Sequence, residues 1–275
     1  LDVLDWVLGH IPALPRVLKP DELAGATPDG LPVGAGGGDN ALAALGLGAL
    51  PGDAIVSMGT SGTVFTVSAN PVHDESGTVA GFADASGVFL PLIATLNAAR
   101  VLDSTRSMLR ASWEEFSRLV SDSRPGAEGL VLLPFFDGER TPNLPDVAGS
   151  LSGITRSNFT PENIARASVE GVVANLADGL ESIRRVGGDA KRLVLTGGSA
   201  RNSAVQNVVS EVFSLPLAVP MPGEYVALGA GVQAAWAVSG SRPEWPFAST
   251  TLEPTQDSSQ VLNRFLEVRL AHHGV

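Results

Sequence analysis

Short apolar runs in the first third of the chain predict β-strands. Four runs follow one another at short intervals, and turn residues such as Asn70-Pro71 and Ser86-Gly87 separate them. This spacing is typical of an antiparallel meander, in which each strand pairs with the next one along the chain. The predicted strands are 54–58, 63–68, 78–82 and 88–92.

Apolar residues three and four positions apart predict helices in the rest of the chain. The longest stripe runs from Ile164 to Val186, and Thr160-Pro161 before it are residue types that begin a helix. Alternating helices and strands predict an α/β or mixed layered domain rather than a sandwich or a bundle. Further helices are predicted at 96–109, 113–120, 202–213, 225–238 and 258–271, strands at 129–134, 192–196 and 216–219, and a surface crossing at 239–255.

Composition limits the classes of protein to which the chain can belong. Hydrophobic residues fill 44% of the 275 positions and charged residues 17%, which supports a large core and excludes an intrinsically disordered chain. The 29 acidic residues outnumber the 18 basic ones, giving a net charge of −11. An acidic chain of this kind argues against a partner that is a nucleic acid or an anionic membrane.

The chain contains no cysteine, which excludes disulfide scaffolds, cysteine–zinc sites and thiolate catalysis and fits a reducing cytoplasm. No uncharged apolar run is long enough to predict a transmembrane helix. Residues 1–6 carry two acids and no basic residue, so they are typical neither of a signal peptide nor of the start of a protein. We therefore expect the chain to begin inside a longer protein.

The first candidate site follows the apolar residues around Val33. Three glycines, Gly36-Gly37-Gly38, precede Asp39 and Asn40, and a helix of small residues comes next. Asp39 is therefore predicted at a helix N-terminus, with bare backbone beside it where a ligand can approach. An ordinary Asp cap is one interpretation, and a functional carboxylate is the other. Three glycines are more than a cap requires, which favours the functional interpretation.

Two further glycine turns are candidate ligand sites. Gly59-Thr60-Ser61-Gly62 is predicted as a hairpin tip whose N–H groups could hold phosphate oxygens, although ordinary glycine turns also have this form. It is not a P-loop, because no Lys follows. Thr196-Gly197-Gly198-Ser199 ends a buried strand and could accept a flat ligand or simply allow a helix to pack on the strand. The full dinucleotide-binding fingerprint is absent there.

A polar loop with Asp137, Glu139 and Arg140 follows the strand predicted at 129–134. It is either a functional loop or a surface turn held by an Arg–carboxylate pair. No metal site is predicted, because the histidines show no ligand spacing with one another or with carboxylates. No serine lies in the Gly-x-Ser-x-Gly pattern of a hydrolase. The histidines are His10, His73, His272 and His273.

In chain order these motifs resemble those of the FGGY carbohydrate kinases, and most closely the kinases in that family that act on xylulose. Each motif is weak alone, but five in the family's order are highly specific, and the resemblance covers nearly the whole chain. The matching segments are 36–40, 59–62, 134–142, 153–155 with 167–171, and 196–202.

The resemblance implies an α/β fold. In this family two actin-like (ribonuclease-H-like) lobes close over sugar and ATP, and this chain corresponds to the carboxy-terminal half of such a two-lobe sugar kinase. Residues 1–49 would close the amino-terminal sugar-binding lobe, and residues 50–275 would form the carboxy-terminal nucleotide-binding lobe with a terminal helix. The implied cofactors are ATP and Mg²⁺.

The resemblance also implies roles for individual residues. Asp39 matches the general base that takes the proton from the sugar hydroxyl, and Asn40 lies next to the sugar. Gly59 and Thr60 match a phosphate-contacting turn. The residues that match the adenosine pocket and its turn are Gly197, Gly198, Ser199 and Asn202.

The implied activity is ATP-dependent phosphorylation of D-xylulose to D-xylulose 5-phosphate in the cytoplasm. Glycerol, gluconate and ribulose remain alternative substrates, a noncatalytic nucleotide-binding actin-like module remains an alternative function, and a homodimer is left open. The Asp-x-Gly-Thr loop of the family's first lobe is missing from the 275 residues. We therefore expect this chain to be inactive alone, with apolar surface exposed around Leu4, Val7, Leu8 and 42–50.

Overall fold

A seven-stranded mixed sheet forms the centre of the protein in a computed structural model that describes residues 2–245, 248–254 and 259–275. The strands are β1 (Leu23–Ala26), β2 (Pro32–Gly34), β3 (Asp53–Met58), β4 (Gly62–Thr66), β5 (Ala80–Ala83), β6 (Phe89–Thr95), β7 (Val131–Leu133), β8 (Ser150–Ser152), β9 (Arg192–Thr196), β10 (Leu217–Pro220) and β11 (Ser249–Leu252). The helices are α1 (Asp2–Leu8), α2 (Asp39–Gly46), α3 (Ala99–Met108), α4 (Trp113–Asp122), α5 (Pro161–Arg185), α6 (Ser203–Phe213), α7 (Tyr225–Ser239) and α8 (Ser259–His273).

The strands of the main sheet lie in the order β11-β10-β9-β3-β4-β6-β5. Strands β3, β9 and β10 run parallel to one another, and the remaining neighbours are antiparallel. The register pairs Ser57 of β3 with Thr196 of β9, so both strands end at the same edge of the sheet. In α/β sheets this edge is where ligands usually bind.

The predicted meander is wrong in its strand order, although each of its four strands exists. The chain passes from β4 to β5 at the edge of the sheet and then returns as β6, which pairs with both. Strand β6 is mostly buried, whereas most of β5 is exposed. An apolar strand gains more from two neighbours, and an exposed strand is better tolerated at an edge.

Helix α5 crosses one face of the sheet. Thr160 caps it by accepting a hydrogen bond from the Asn163 N–H at 3.3 Å, and Pro161 occupies the first turn, as the sequence predicts. A Cβ on Gly179 would lie 2.9 Å from the Val64 side chain, so the helix lies close against β4. Helices α3, α4, α6 and α8 pack around α5 on this side.

Helices α2 and α7 form a layer on the opposite face. Val56 packs in the core that contains α5, whereas the adjacent Ile55 packs with Leu42 of α2, as alternation along a strand requires. The expectation of exposed apolar surface at 42–50 is therefore wrong for most of that segment, because α7 and the sheet cover it. Leu42, Leu45 and Leu47 are buried, whereas Leu50 is exposed.

The first turns of the chain pack differently. Helix α1 has no buried residue, and Val7 and Leu8 are exposed, as expected, whereas Leu4 is half-buried. A hairpin of β1 and β2 follows. Helix α2 lies before residue 49 and shares a core with the main sheet. The proposed division of the chain at residue 49 stays a prediction.

The surface crossing predicted at 239–255 contains a strand that the sequence did not reveal. Strand β11 pairs antiparallel with β10 and extends the sheet. Residues 246–247 and 255–258, including the first residue of the predicted terminal helix, lie outside the described residues. Among the helices that the structure describes, none combines the length and apolar character needed to cross a membrane.

Candidate functional site

Two of the glycine turns leave the sheet side by side. Strand β3 ends at Met58 and runs into Gly59-Thr60, and the neighbouring parallel strand β9 ends at Thr196 and runs into Gly197-Gly198. The turns touch, because a Cβ on Gly197 would lie 2.6 Å from the backbone of Met58. The sheet register therefore brings together two motifs that lie far apart in the sequence.

A cleft of about 630 Å³ opens beside these turns. Asp39 and Asn40, from the first turn of α2, line it together with Gly197 and Gly198. Ser199 and Asn202 follow in the same turn but do not line the cleft. Gly59 and Thr60 do not line it either, although Ser57, near the end of β3, does. The structure thus brings the first and third motifs into one cavity and leaves the second outside its lining.

The glycines in the two touching turns have different roles. Gly197 has a φ of +93° and packs on the Met58 backbone, so the fold itself requires glycine there. Among the described residues no atom lies within 4 Å of the Gly198 Cβ position, and its φ is not positive, so the fold does not require glycine there. Gly59 is similar, because its only Cβ neighbour is the Ser61 carbonyl oxygen at 3.6 Å. Space that is kept free beside a cleft suits the approach of a ligand.

Asp39 begins α2 but does not cap it. Gly38 is the N-cap residue, and the Asp39 Oδ1 atom accepts hydrogen bonds from the Asn40 backbone N–H at 2.8 Å and from Asn40 Nδ2 at 3.1 Å. The interpretation of Asp39 as an ordinary cap is therefore wrong. Within the described residues Oδ2 accepts no hydrogen bond, so one carboxylate oxygen is anchored and the other is available to a ligand.

The glycine loop before Asp39 is held by Gln233 of α7. Gln233 Oε1 accepts a hydrogen bond from the Gly36 N–H at 2.8 Å, and its Nε2 donates to the Gly36 carbonyl at 3.0 Å. The Gln233 side chain is 3% exposed, whereas Gly36 is exposed, so this pair of hydrogen bonds ties an exposed loop to a buried side chain. Gln233 was not predicted from the sequence, where it stands out as a polar residue within a helix of mostly small apolar residues.

The loop after β10 is another part of the cleft that sequence analysis missed. Residues 220–224 and Tyr225 line the same cavity as Gly198, as do Arg201 and Thr250. The Tyr225 hydroxyl donates to the Met221 carbonyl, and burial raises the pKa of the Tyr225 phenol. The strand predicted at 216–219 could have indicated this loop, because a strand parallel to β9 ends at the same edge of the sheet as β9 does.

Asn202 caps α6. Its amide oxygen accepts hydrogen bonds from the Ala204 N–H at 3.0 Å and the Val205 N–H at 3.3 Å. This contact fixes the start of α6 directly after the Gly198–Arg201 turn. The predicted roles of Asn202 and Ser199 at a nucleoside stay predictions.

The polar loop at 137–142 is anchored by a buried carboxylate. Glu139 is 1% exposed and accepts hydrogen bonds from the backbone N–H groups of Leu96 and Arg140 and from the side chains of Asn97 and Asn175. An Arg–carboxylate pair does reach the loop, because Arg100 of α3 lies 3.9 Å from Asp137, but both side chains are exposed and such a pair contributes little. The buried contacts of Glu139 are therefore the main anchor of the loop. Arg140 is exposed and lines a second cleft of about 430 Å³. Asn40 also lines this second cleft and thus lies on the border of both cavities.

The residues that could hold a cation are few. The part of the chain that the structure describes has no group of three or more His, Asp or Glu side chains arranged to hold a metal ion. Asp39 is the carboxylate among the cleft residues nearest to the glycine loop, and Glu224 lies in the loop after β10.

Comparison with known families agrees with this arrangement of motifs. Residues 54–238 match the sequence model of the FGGY family of carbohydrate kinases, C-terminal domain. The chain belongs to this family. The FGGY kinases use ATP, and the predicted fold class is confirmed: the chain has a mixed α/β fold that matches the carboxy-terminal half of two-lobe sugar kinases.

Several relatives of this FGGY chain are xylulose kinases, and others are gluconokinases. The chain is 40% identical to xylulose kinase from Streptomyces rubiginosus over 95% of its length and 56% of the relative, and 44% identical to that from Streptomyces coelicolor over 82% of its length and 47% of the relative. The crystal structure of xylulose kinase from Bifidobacterium adolescentis superposes with a TM-score of 0.86 at 41% identity, over 93% of this chain and 53% of that one. The chain thus spans about half the length of these relatives.

Proposed function

We propose that this chain is the nucleotide-binding half of a kinase that transfers the γ-phosphoryl group of ATP to a hydroxyl of D-xylulose, giving D-xylulose 5-phosphate. One observation carries the proposal: a carboxylate with an unpaired oxygen, Asp39, lines the same cleft as Gly198. A proton acceptor and a backbone surface that can receive a nucleotide therefore lie within one cavity. Phosphoryl transfer requires little more from a protein than such placement.

ATP is proposed to bind along the edge of the sheet where β3 and β9 end. The nucleoside lies against the bare backbone of Gly198, and the phosphates reach the N–H groups of the Gly59-Thr60 turn. Backbone N–H groups at such turns form concave sites that suit anions. The contact between Gly197 and Met58 fixes the spacing of the two turns.

Asp39 is proposed as the general base. Its Oδ1 atom is held by Asn40, while Oδ2 takes the proton of the attacking sugar hydroxyl. The hydroxyl oxygen forms a bond to the γ-phosphorus as the bond between that phosphorus and the β,γ-bridging oxygen breaks, so ADP leaves with the bridging oxygen. Asn40 borders both cavities and is proposed to lie beside the sugar.

Mg²⁺ is proposed to enter with the nucleotide. This ion is usually held by one or two carboxylates together with substrate phosphates, which agrees with a described chain that supplies no three-residue cluster. Because Asp39 is proposed as the base, the phosphates of the nucleotide would supply the main protein-independent ligands of the ion. When bound, the ion neutralises charge on the phosphates during transfer.

D-Xylulose is the proposed substrate because the more similar relatives, at 40% and 44% identity, are xylulose kinases. A gluconokinase from Bacillus subtilis is 30% identical over 71% of the chain. Gluconate, glycerol and ribulose are the competing substrates to test. The cytoplasmic location and a homodimer stay predictions.

The test measures ATP-dependent phosphorylation by this chain joined behind the amino-terminal lobe of the Streptomyces rubiginosus enzyme. The expected result is phosphate transfer to D-xylulose with a higher kcat/KM than to gluconate, glycerol or ribulose, and no transfer by the 275-residue chain alone. A joined protein that binds ATP but phosphorylates none of these sugars would instead support a noncatalytic nucleotide-binding module. Preference for gluconate, glycerol or ribulose would overturn the assignment of D-xylulose as the substrate but support the proposed phosphoryl transfer.

A further inference from the structure

The buried carboxylate of Glu139 accepts four hydrogen bonds, and the proposed reaction gives it no task. Its Oε1 atom accepts from the Leu96 N–H at 2.6 Å and the Arg140 N–H at 2.7 Å. Its Oε2 atom accepts from Asn97 Nδ2 at 3.1 Å and Asn175 Nδ2 at 3.3 Å. The side chain is almost wholly buried, so it cannot touch the substrate directly.

Leu96 and Asn97 lie in the short segment that joins β6 to α3, and this segment holds the Gly59–Gly62 turn. The Ala99 N–H at the start of α3 donates to the Gly59 carbonyl at 2.9 Å. The Thr95 hydroxyl at the end of β6 donates to the Gly62 carbonyl at 3.3 Å. Both ends of the turn are therefore bonded to residues that flank the partners of Glu139.

The bond from Ala99 to Gly59 also sets the direction of a donor. A trans peptide is planar, so the carbonyl of Gly59 and the N–H of Thr60 lie in one plane and point in opposite directions. Because Ala99 holds the carbonyl, the Thr60 N–H must point away from α3. Thr60 and Ser61 are exposed, so this donor lies on the open side of the turn.

The four donors around Glu139 explain why a carboxylate occupies this position. Two of them are backbone N–H groups that cannot rotate, and Asn97 Nδ2 is further committed to the Gly138 carbonyl at 2.7 Å. A carboxylate can accept from all four, whereas an amide of the same shape places two hydrogens against donors. Asn175 lies on α5, so the Glu139 carboxylate also ties the segment between β6 and α3 to the main core.

We infer that Glu139 is a positioning residue for phosphate binding: through Leu96, Asn97 and Ala99 it sets the orientation of the Gly59-Thr60 turn that receives the phosphates of ATP. This inference rests on the proposed function, because it assigns the turn to the phosphates. It gives the polar loop at 137–142 a task in the reaction without any contact between Glu139 and the substrate.

The experiment compares ATP and AMP affinities of the 275-residue chain by titration calorimetry. AMP shares the nucleoside but lacks the β- and γ-phosphates, so the ratio of the two affinities reports on the phosphate turn. In Glu139→Gln we expect ATP affinity to fall about tenfold with AMP affinity nearly unchanged, the scale of a charge-assisted hydrogen bond lost from the site. Hydrogen exchange of the Ala99 amide, which bonds to Gly59, should become faster in the same variant.

Two further variants keep the result interpretable. Thr95→Val removes only the hydroxyl that holds Gly62, preserves side-chain shape, and should lower ATP affinity about threefold with little effect on AMP. Glu170→Gln also removes a buried carboxylate and serves as the control. Glu170 accepts from the Gly126 N–H at 2.9 Å and from Arg166 at 2.6 Å, and it lines neither cleft, so this variant reports the effect of general destabilisation. It should leave the affinity ratio and Ala99 exchange at the values of the parent chain.

The possible results separate the two proposals. An unchanged affinity ratio and unchanged Ala99 exchange in Glu139→Gln would overturn the inference, and so would equal losses of ATP and AMP affinity. A parent chain that binds neither nucleotide would contradict the proposed nucleotide site. In that case Ala99 exchange alone decides whether Glu139 orients the turn.

Discussion

Gly46 in α2 and Gly229 in α7 lie in contact, because a Cβ built on Gly46 would be 2.7 Å from the Gly229 nitrogen. A Cβ on Gly229 would in turn overlap the Leu42 carbonyl. The two helices thus cross backbone against backbone. Asp39 begins α2 and Gln233 of α7 holds the preceding loop, so this crossing positions the proposed base.

Gly229→Ala is expected to force the two helices apart. The added methyl has no room against backbone atoms, which cannot rotate away, so the free energy of unfolding should fall by about 1–3 kcal/mol or more. Chemical denaturation measures this change. Gly231→Ala is the matched control in the same helix, since its Cβ would meet only the Trp245 side chain at 3.3 Å. Equal stability of the two variants would show that the helices can separate without cost.

The adjacent glycines Gly197 and Gly198 should respond to substitution in opposite ways. Gly197→Ala places a Cβ on the Met58 backbone at a φ of +93°, so it should lower the free energy of unfolding by about 1–3 kcal/mol. Gly198→Val enters open space and should leave the melting temperature nearly unchanged. In the proposed cleft, however, the valine occupies the place of the nucleoside and should lower ATP affinity by more than about tenfold, the scale of one excluded close contact.

Calorimetric titration with ATP and thermal unfolding together check this pair. If Gly198→Val binds ATP as tightly as the parent chain, the nucleoside lies elsewhere. If Gly197→Ala is as stable as the parent, the contact with Met58 does not hold the two turns together.

A buried ionic group on α5 and α6 gives a prediction about stability and pH. Arg166 donates to Glu170 at 2.6 Å and to Glu211 at 2.5 Å, and all three side chains are nearly inaccessible. Arg166→Met leaves two buried carboxylates without a counter-charge, so the free energy of unfolding should fall by about 3–5 kcal/mol at neutral pH. The exposed pair of Arg118 and Asp122 is the control, and Arg118→Met should cost less than about 1 kcal/mol.

The pH dependence of this effect has a definite sign. Burial raises the pKa of Glu170 even with Arg166 present, so the folded chain takes up the proton before the unfolded chain does. The contribution of Glu170 to stability is therefore largest below its unfolded pKa and is lost as pH rises through its folded pKa. Denaturation of Arg166→Met should accordingly show recovery of stability as the pH is lowered from neutral. If Arg166→Met were destabilised by the same amount at neutral and at lower pH, the predicted direction of the pH dependence would be contradicted.

Local patterns in the sequence were sufficient to predict many individual elements. Strand β9 has the predicted bounds of 192–196, and α5 begins where Thr160-Pro161 indicates, because these features depend on neighbouring residues. The chain order of glycine motifs was also sufficient to predict the family, which the comparison confirms.

Contacts between distant residues could not be predicted in this way. The insertion of β6 between β4 and β5 depends on which strand is better buried in the finished sheet. The bonds from Gln233 to Gly36 and from Glu139 to Leu96 join segments that no local period connects. Asp39 was predicted at a helix start, but only the structure shows that Gly38 is the cap and that one Asp39 oxygen is unpaired.

Asp39→Asn in the joined kinase is the most direct test of the account, because it changes one oxygen to an amide nitrogen and preserves the shape. The amide cannot accept the proton of the sugar hydroxyl, so turnover should fall by roughly 10²–10⁴, the usual contribution of general-base catalysis. Affinities for ATP and sugar should stay within a few-fold. Asp122→Asn, an exposed change on α4, is the control and should keep parental turnover.

The deciding measurement is kcat for ATP-dependent phosphorylation of D-xylulose by the Asp39→Asn protein. The account predicts a kcat lower by roughly 10²–10⁴ with nearly parental ATP affinity. A kcat close to that of the parent would contradict the assignment of Asp39 as the base.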